Sequence, residues 1–162
     1  MTAEEYALNL GKLWGRFQSL DILIRLFLHS LPNAASMNLP PGIGLFSLKV
    51  GDQVNESALS NRDYFSTLVK AYNKEVALTK IGQPISEDLI DLRNALAHGL
   101  VTADTPDGNF RIVHFEKVAD GTFRIIRNDQ MDQAWFEIQS RSIEIAFRAV
   151  QAAFQRVMPK TH

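Results

Sequence analysis

The sequence predicts an all-α fold, a bundle of four helices with one small β-hairpin inserted before the last helix. Apolar residues recur at helical spacing through four separate segments of the chain. Between the third and fourth segments, two β-rich runs flank the dipeptide Asp120-Gly121, which is typical of a hairpin turn. The chain has 162 residues. We therefore expect one helical domain over residues 1–162, large enough to bury a core without disulfides.

The first helix is predicted over residues 2–31, with Thr2 as its candidate N-cap. A second apolar face begins at residue 20 and includes Ile22, Leu23 and Leu26. A helix that is apolar nearly all round is covered on two sides. The second face therefore belongs either to the core of the same chain or to a homodimer interface, and the sequence leaves both open.

The segment 32–59 is rich in proline, glycine and asparagine, and we expect a long loop there with a brief extended piece over 43–50. Loops of this length inside a domain are uncommon and often functional. The loop is either a surface excursion or a lid over the candidate site. A second helix is predicted to begin at Ser60 and to end near Thr79.

The third helix is predicted from Ser86, a start signal, to Gly99, a residue typical of helix ends. After a turn-rich loop over 102–108, the hairpin is expected over 109–128. Its predicted register places His114 across from Arg127, and Lys117 across from Arg124.

The last helix is predicted to begin after Asp129 or Asp132 and to run to about Met158, with Pro159 ending it. This helix is the fourth of the predicted bundle. Helices joined by a short connection are expected to lie next to each other.

The composition excludes several classes of function. The chain has no cysteine, which excludes a disulfide framework, a thiol nucleophile and a thiolate metal site. Its four histidines lack metal-binding spacing, so we expect no metal and no cofactor. No basic signal-peptide region is seen, so a cytoplasmic protein without membrane contact is expected. A net charge of −1 argues against a non-specific nucleic-acid binder.

Arg93 is the unusual residue of the third helix. No carboxylate lies three or four residues from it, so its counter-charge must come from another element, another chain or a ligand. At about 100° per residue, Asn94 and His98 lie about 40° apart, whereas Arg93 and His98 lie about 140° apart. Either the helix ends at His98 and releases its side chain, or two copies of the helix meet.

The segment Arg93-Asn94-Ala95-Leu96-Ala97-His98-Gly99 resembles the signature of the HEPN family, which has an arginine, a polar residue directly after it, and a histidine a few residues later. Arg93, Asn94 and His98 match these positions. The resemblance implies a helical bundle that forms a homodimer with two motif copies across a cleft. It also implies either a metal-independent endoribonuclease of toxin–antitoxin or phage-defence type, or a non-catalytic interaction module.

The resemblance implies RNA as the substrate and Arg93, Asn94 and His98 as catalytic residues. It also allows a cognate antitoxin or a nucleotidyltransferase as partner. The residues alone imply only phosphate chemistry or anion binding: histidine transfers protons near neutral pH, and arginine binds phosphate oxygens. Asn94 could orient His98 or donate to a phosphate. A structural polar network across a dimer interface is the alternative.

Overall fold

The computed structural model describes residues 1–39, 43–103 and 110–158. The elements, in chain order, are α1 (Ala3–His29), a one-turn 3₁₀ helix (Leu45–Ser47), α2 (Phe65–Thr79), α3 (Asp88–His98), β1 (Leu100–Thr102), β2 (Arg111–Ala119), β3 (Thr122–Gln130) and α4 (Gln133–Val157). Three predictions fall wholly or mostly outside the described residues: the loop 102–108, the first residue of the hairpin, and the helix end at Pro159.

The prediction of an all-α fold is wrong, although its four helices are confirmed. The chain also forms a three-stranded antiparallel sheet in the order β1-β2-β3, so the fold is mixed α and β. The third strand is β1, in which Leu100 pairs with Val113 and Thr102 with Arg111. It has three residues and follows α3 after Gly99 alone. Such a short segment has no alternating pattern that the sequence could reveal.

The chain divides into two compact units. The sheet unit comprises Met1–Leu20 and Ser86–Phe147, and the helical unit comprises Asp21–Ile85 and Arg148–His162. The core of the sheet unit includes Leu13, Phe17, Leu20, Leu89, Leu92, Ala95, Ile112, Met131, Phe136 and Ile143. The prediction of a single domain over 1–162 stays a prediction.

The hairpin of the sheet unit turns at Asp120 and Gly121, as predicted, with Gly121 at φ 74°. The predicted pairing of His114 with Arg127 is confirmed. The predicted pairing of Lys117 with Arg124 is wrong, because a register shift after His114 inserts an extra residue in β3. Arg124 instead lies across from Glu116, and the two side chains form an ion pair.

Side-chain caps set the starts of two helices in the sheet unit. Thr2 Oγ1 accepts a hydrogen bond from the backbone N–H of Glu5 at 3.1 Å, and Glu5 Oε2 accepts one from the backbone N–H of Thr2 at 2.8 Å. This reciprocal pair is a capping box and confirms Thr2 as the cap of α1. At α4, Asp132 Oδ1 accepts from the backbone N–H of Trp135 at 2.8 Å. Asp132, and not Asp129, is therefore the cap of α4.

In the helical unit, Arg25 of α1 anchors the segment that precedes α2. Its guanidinium donates to Asp21 Oδ1 at 2.7 Å, to the carbonyl oxygens of Ala58, Asn61 and Asp63, and to Asn61 Oδ1. Four acceptors in the segment 58–63 are thus held by one side chain. Charge-assisted hydrogen bonds of this kind are stronger than neutral ones, so Arg25 fixes a stretch that has no helix or strand of its own.

Two predicted elements of the helical unit are wrong. Residues 43–50 do not form an extended piece, because Ser47 N–H donates to Gly44 O at 2.9 Å and closes a one-turn 3₁₀ helix. Ser60 does not start α2, because its hydroxyl donates to Asn55 O and accepts from the Ser57 N–H within a preceding turn. The helix begins at Phe65 and ends at Thr79, and only that end was predicted.

Tyr72 of α2 is fully buried, and its hydroxyl donates to the carbonyl oxygen of Gln83 at 3.0 Å. Desolvation by burial raises the pKa of Tyr72 to about 12 from its ordinary 10.0. Since the folded chain holds the phenolic proton more tightly, the stability from Tyr72 is fully present below pH 10 and is lost as the pH rises towards 12.

We expect the free energy of unfolding, measured by urea denaturation, to fall for the wild type as the pH rises above 10. Tyr72→Phe should fall less steeply, because phenylalanine has no proton to lose. At neutral pH the variant should be less stable by about 1 kcal/mol, since the hydrogen bond to Gln83 is lost. Parallel pH curves for the two proteins would contradict this role of Tyr72.

Candidate functional site

The three predicted site residues lie on α3, in the sheet unit. Ser86 Oγ accepts a hydrogen bond from the backbone N–H of Asp88, the first residue of α3, at 3.2 Å. Leu89, Leu92 and Ala95 are buried, so this side of α3 is fixed in the core. Leu89 and Leu92, three residues apart, thus mark the core side of the helix, and the polar residues of α3 occupy the remaining surface.

Gly99 fixes the end of α3 by close packing. Its φ of −70° is open to any residue, so the left-handed geometry common at helix ends is not the reason for glycine here. A Cβ at this position would lie 2.5 Å from Ala95 O, 3.0 Å from Ile112 Cγ1 and 3.1 Å from Val113 O. Only glycine lets the chain pass this close to β2, and β1 begins at the next residue.

Arg93 is half-buried and lies over an aromatic ring. Its Cζ lies 5.7 Å from the centroid of the Trp14 ring on α1, within the range of a cation–π interaction. Within the described ranges, the Arg93 guanidinium has no ion pair and no hydrogen-bond acceptor. A cation–π contact supplies no carboxylate and no carbonyl oxygen to the guanidinium. Among the described residues its N–H donors therefore have no acceptor, and they are available to an anion.

Trp14 was missed as a site residue, because its spacing placed it in the apolar stripe of α1. It is 37% exposed and gives Arg93 an aromatic partner, although not the counter-charge that the sequence leads us to expect. The sequence contains part of the information needed to find Trp14. A helical arginine without a nearby carboxylate needs a partner elsewhere, and tryptophan is the best cation–π partner. Which aromatic ring would serve depends on packing that one sequence does not reveal.

Asn94 is half-buried and His98 is exposed. In the part of the chain that the structure describes, neither side chain has a hydrogen-bond partner. The helix remains regular through His98, its last residue. Arg93 and His98 therefore point in directions about 140° apart, as the helical spacing requires. One copy of α3 does not direct both side chains at one atom.

His114 of β2 is the other histidine noted in the sequence. Its Nδ1 is buried and has no hydrogen-bond partner among residues 1–39, 43–103 and 110–158. Arg127 lies across from it, and that side chain is engaged by Asp129 at 2.8 Å. Among the described residues, no hydrogen bond or ion pair joins the His114 side chain to α3.

A groove of about 600 Å³ lies between α1 and α4 within the sheet unit. It is lined by Lys12, Gly15, Arg16, Ser19, Ile143, Glu144 and Phe147. Arg16 and Glu144 form an exposed ion pair across it at 3.9 Å, a contact of small energetic value. None of the three predicted site residues lines this groove.

In the described part of the chain, no group of three or more histidine, aspartate or glutamate side chains is arranged to hold a metal ion. None of the helices described there has the length and apolar character needed to cross a membrane.

Comparison of the chain with protein-family models, with curated proteins and with solved structures gives no match. The function therefore has to be argued from the side chains of α3 and their surroundings.

We expect Trp14→Ala and Arg93→Ala to be energetically coupled. In a double-mutant cycle measured by urea unfolding, the coupling should be about 0.5–1 kcal/mol, the size of a partly exposed cation–π pair. Trp14→Ala combined with Asp91→Ala, which removes an exposed side chain of α3, serves as the control and should be additive. Additive effects in the Trp14–Arg93 cycle would contradict an energetically significant cation–π interaction.

We expect Gly99→Ala to destabilise the protein by about 1–3 kcal/mol, because backbone oxygens close to the new methyl group must move. Gly11→Ala is the matched control: a Cβ there meets nothing within 4 Å, and alanine favours a helix by about 0.5–1 kcal/mol. Thermal unfolding of both variants tests this pair. A Gly99→Ala protein as stable as the wild type would show that the junction tolerates a side chain.

Proposed function

We propose that the chain is a metal-independent endoribonuclease of toxin or phage-defence type, in which His98 and Arg93 act together in a dimeric cleft. The observation that carries the proposal is the surroundings of Arg93 and His98 on α3. Arg93 is held by Trp14 with its N–H donors unused by the described residues, and His98 is exposed. A cation fork and a proton-transfer group on one helix suit a phosphodiester substrate.

The reaction requires the RNA, the side chains and water. The ribose 2′-oxygen attacks the adjacent phosphorus while a base takes its proton, and the bond from phosphorus to the 5′-oxygen breaks. An acid gives a proton to the leaving 5′-oxygen. The products are a 2′,3′-cyclic phosphate and a 5′-hydroxyl. His98 serves as the base or the acid, a water molecule serves in the other of these two roles, and arginine stabilises the added negative charge on the phosphate.

A homodimer could bring an Arg93 and a His98 to the same phosphate, which one copy of α3 cannot do. Since Arg93 and His98 diverge by about 140° on one helix, an Arg93 of one copy has to face a His98 of the other copy to share a phosphate. Two-fold symmetry then produces two equivalent sites. In such a dimer Asn94, which is half-buried beside Arg93, is placed to donate to a phosphate oxygen or to orient a histidine.

The second candidate function is a non-catalytic interaction module, whose partner would be a cognate antitoxin or a nucleotidyltransferase. The contact between Arg93 and Trp14 favours it, because this cation–π contact gives Arg93 a structural role without a substrate. The net charge of −1 also favours it, since RNA-binding proteins are usually basic.

The test is RNA cleavage by purified protein with a metal chelator present. We expect the wild type to cleave, and His98→Ala and Arg93→Ala to lose activity by about 100-fold to 10,000-fold, the usual contribution of an acid–base group. Lys70→Ala, which removes an exposed cation of α2, should retain full activity.

Equal cleavage by the wild type and His98→Ala would contradict a role for His98. If a folded wild-type dimer leaves both structured and single-stranded RNA intact, the interaction module becomes the better explanation.

A further inference from the structure

The outer half of the hairpin is exposed on both of its faces. Every residue from 115 to 126 is exposed, whereas Ile112, near the start of β2, is fully buried. The ribbon formed by these residues therefore extends beyond the part of the sheet that packs on the core of the sheet unit. A two-stranded ribbon that buries none of its side chains gains little stability from packing. Packing within the chain therefore does not account for the apolar residues of this ribbon.

Two aromatic rings share one face of this ribbon. Phe115 pairs with Ile125, and Lys117 pairs with Phe123. Because side chains alternate along a strand and paired residues point to the same face, these four residues lie together. We call them the aromatic face. Phe115 is 42% exposed, Ile125 55% and Phe123 61%, so both rings are open to solvent.

The aromatic face continues towards α3. Val113, two residues before Phe115 on β2, pairs with Leu100 of β1, and Leu100 is 67% exposed. Leu100 is separated from His98 by Gly99 alone. A ligand extended along this face from Phe123 to Leu100 would therefore approach the end of α3 that carries His98.

The charges on this side of the sheet are cationic. Lys117 belongs to the aromatic face, and Arg111 lies on the same side by strand alternation. The strand carboxylates, Glu116 and Asp129, occupy the alternate positions and lie on the opposite side. Asp120 in the turn is 3.2 Å from Lys117, but both side chains are highly exposed, so water and salt screen this contact.

We propose that the aromatic face binds unpaired bases of single-stranded RNA, with Phe115 and Phe123 stacking on bases and Lys117 contacting phosphate. The inference rests on the proposed function, because RNA is the substrate proposed for His98. Exposed aromatic rings beside cations on a sheet surface combine the two interactions that single-stranded nucleic acid needs. A partner protein would also use the apolar area, but the described strand positions on this side carry Lys117 and Arg111 and no carboxylate. The only carboxylate described near them is Asp120 in the turn, whose contact with Lys117 is highly exposed, so the balance of charge favours a polyanion.

The test measures RNA affinity separately from cleavage. The protein is the His98→Ala variant, which leaves the RNA intact, and the probe is a short fluorescein-labelled oligouridine followed by fluorescence anisotropy. We expect the single strand to bind more tightly than the same oligonucleotide annealed to its complement. In this background Phe115→Ala and Phe123→Ala should each weaken binding about five-fold or more, the loss expected for one stacked base.

Two matched pairs of variants separate stacking and charge from other effects. Phe115→Tyr and Phe123→Tyr keep a ring and should bind nearly as well as the parent. Lys117→Gln should lower the affinity for RNA and make that affinity less dependent on salt concentration. Arg124→Gln removes the same charge from the opposite face and should have little effect. Equal losses from Lys117→Gln and Arg124→Gln would overturn a face-specific site.

The outcomes distinguish this inference from the proposed nuclease. Binding that depends on both rings, without cleavage by the wild type, supports the aromatic face and overturns the nuclease. Cleavage by the wild type, with binding unchanged in the phenylalanine variants, overturns the aromatic face alone. If the phenylalanine variants alter the oligomeric state and leave RNA affinity unchanged, the face is a protein interface and the inference is wrong.

Discussion

The close packing of Gly99 is the constraint on which the arrangement of the sheet unit depends. The glycine lets the end of α3 lie against Ile112 and Val113 of β2 with no room for a methyl group. Because β1 begins one residue later, the register between β1 and β2 and the position of His98 are set by the same contact. The candidate site is therefore built on rigid elements, which hold catalytic groups more accurately than loops do.

Different residues of α3 anchor the helix and form the candidate site. The buried leucines fix the helix in the core, and the Trp14 ring lies under the Arg93 guanidinium, whose N–H donors have no acceptor among the described residues. His98 lies at the exposed end. An arginine whose position is fixed before the anion arrives loses less conformational freedom on binding. The angular separation of Arg93 and His98 on the helix is what makes a second copy necessary to the proposed site.

The helices and the hairpin turn could be predicted because their signals are local. Periodic apolar residues indicate helices, the Thr2–Glu5 capping box indicates a start, and Asp-Gly indicates the turn at Gly121. The third strand could not be predicted, since β1 exists only through its pairing with β2. For the candidate site, the sequence indicated that Arg93 lacks a local partner. Identifying Trp14 as that partner required the packing of α1 against α3.

The most direct test of the shared cleft uses heterodimers purified through two different tags. A heterodimer of Arg93→Ala and His98→Ala chains contains one intact pairing of Arg93 with His98 across the interface, so it should recover about half of the wild-type cleavage rate, because two-fold symmetry gives two equivalent sites. A heterodimer of a wild-type chain and a chain carrying both substitutions should be inactive. The opposite pattern, an inactive first heterodimer and a half-active second one, would show that each site lies within a single chain and would contradict the dimeric cleft.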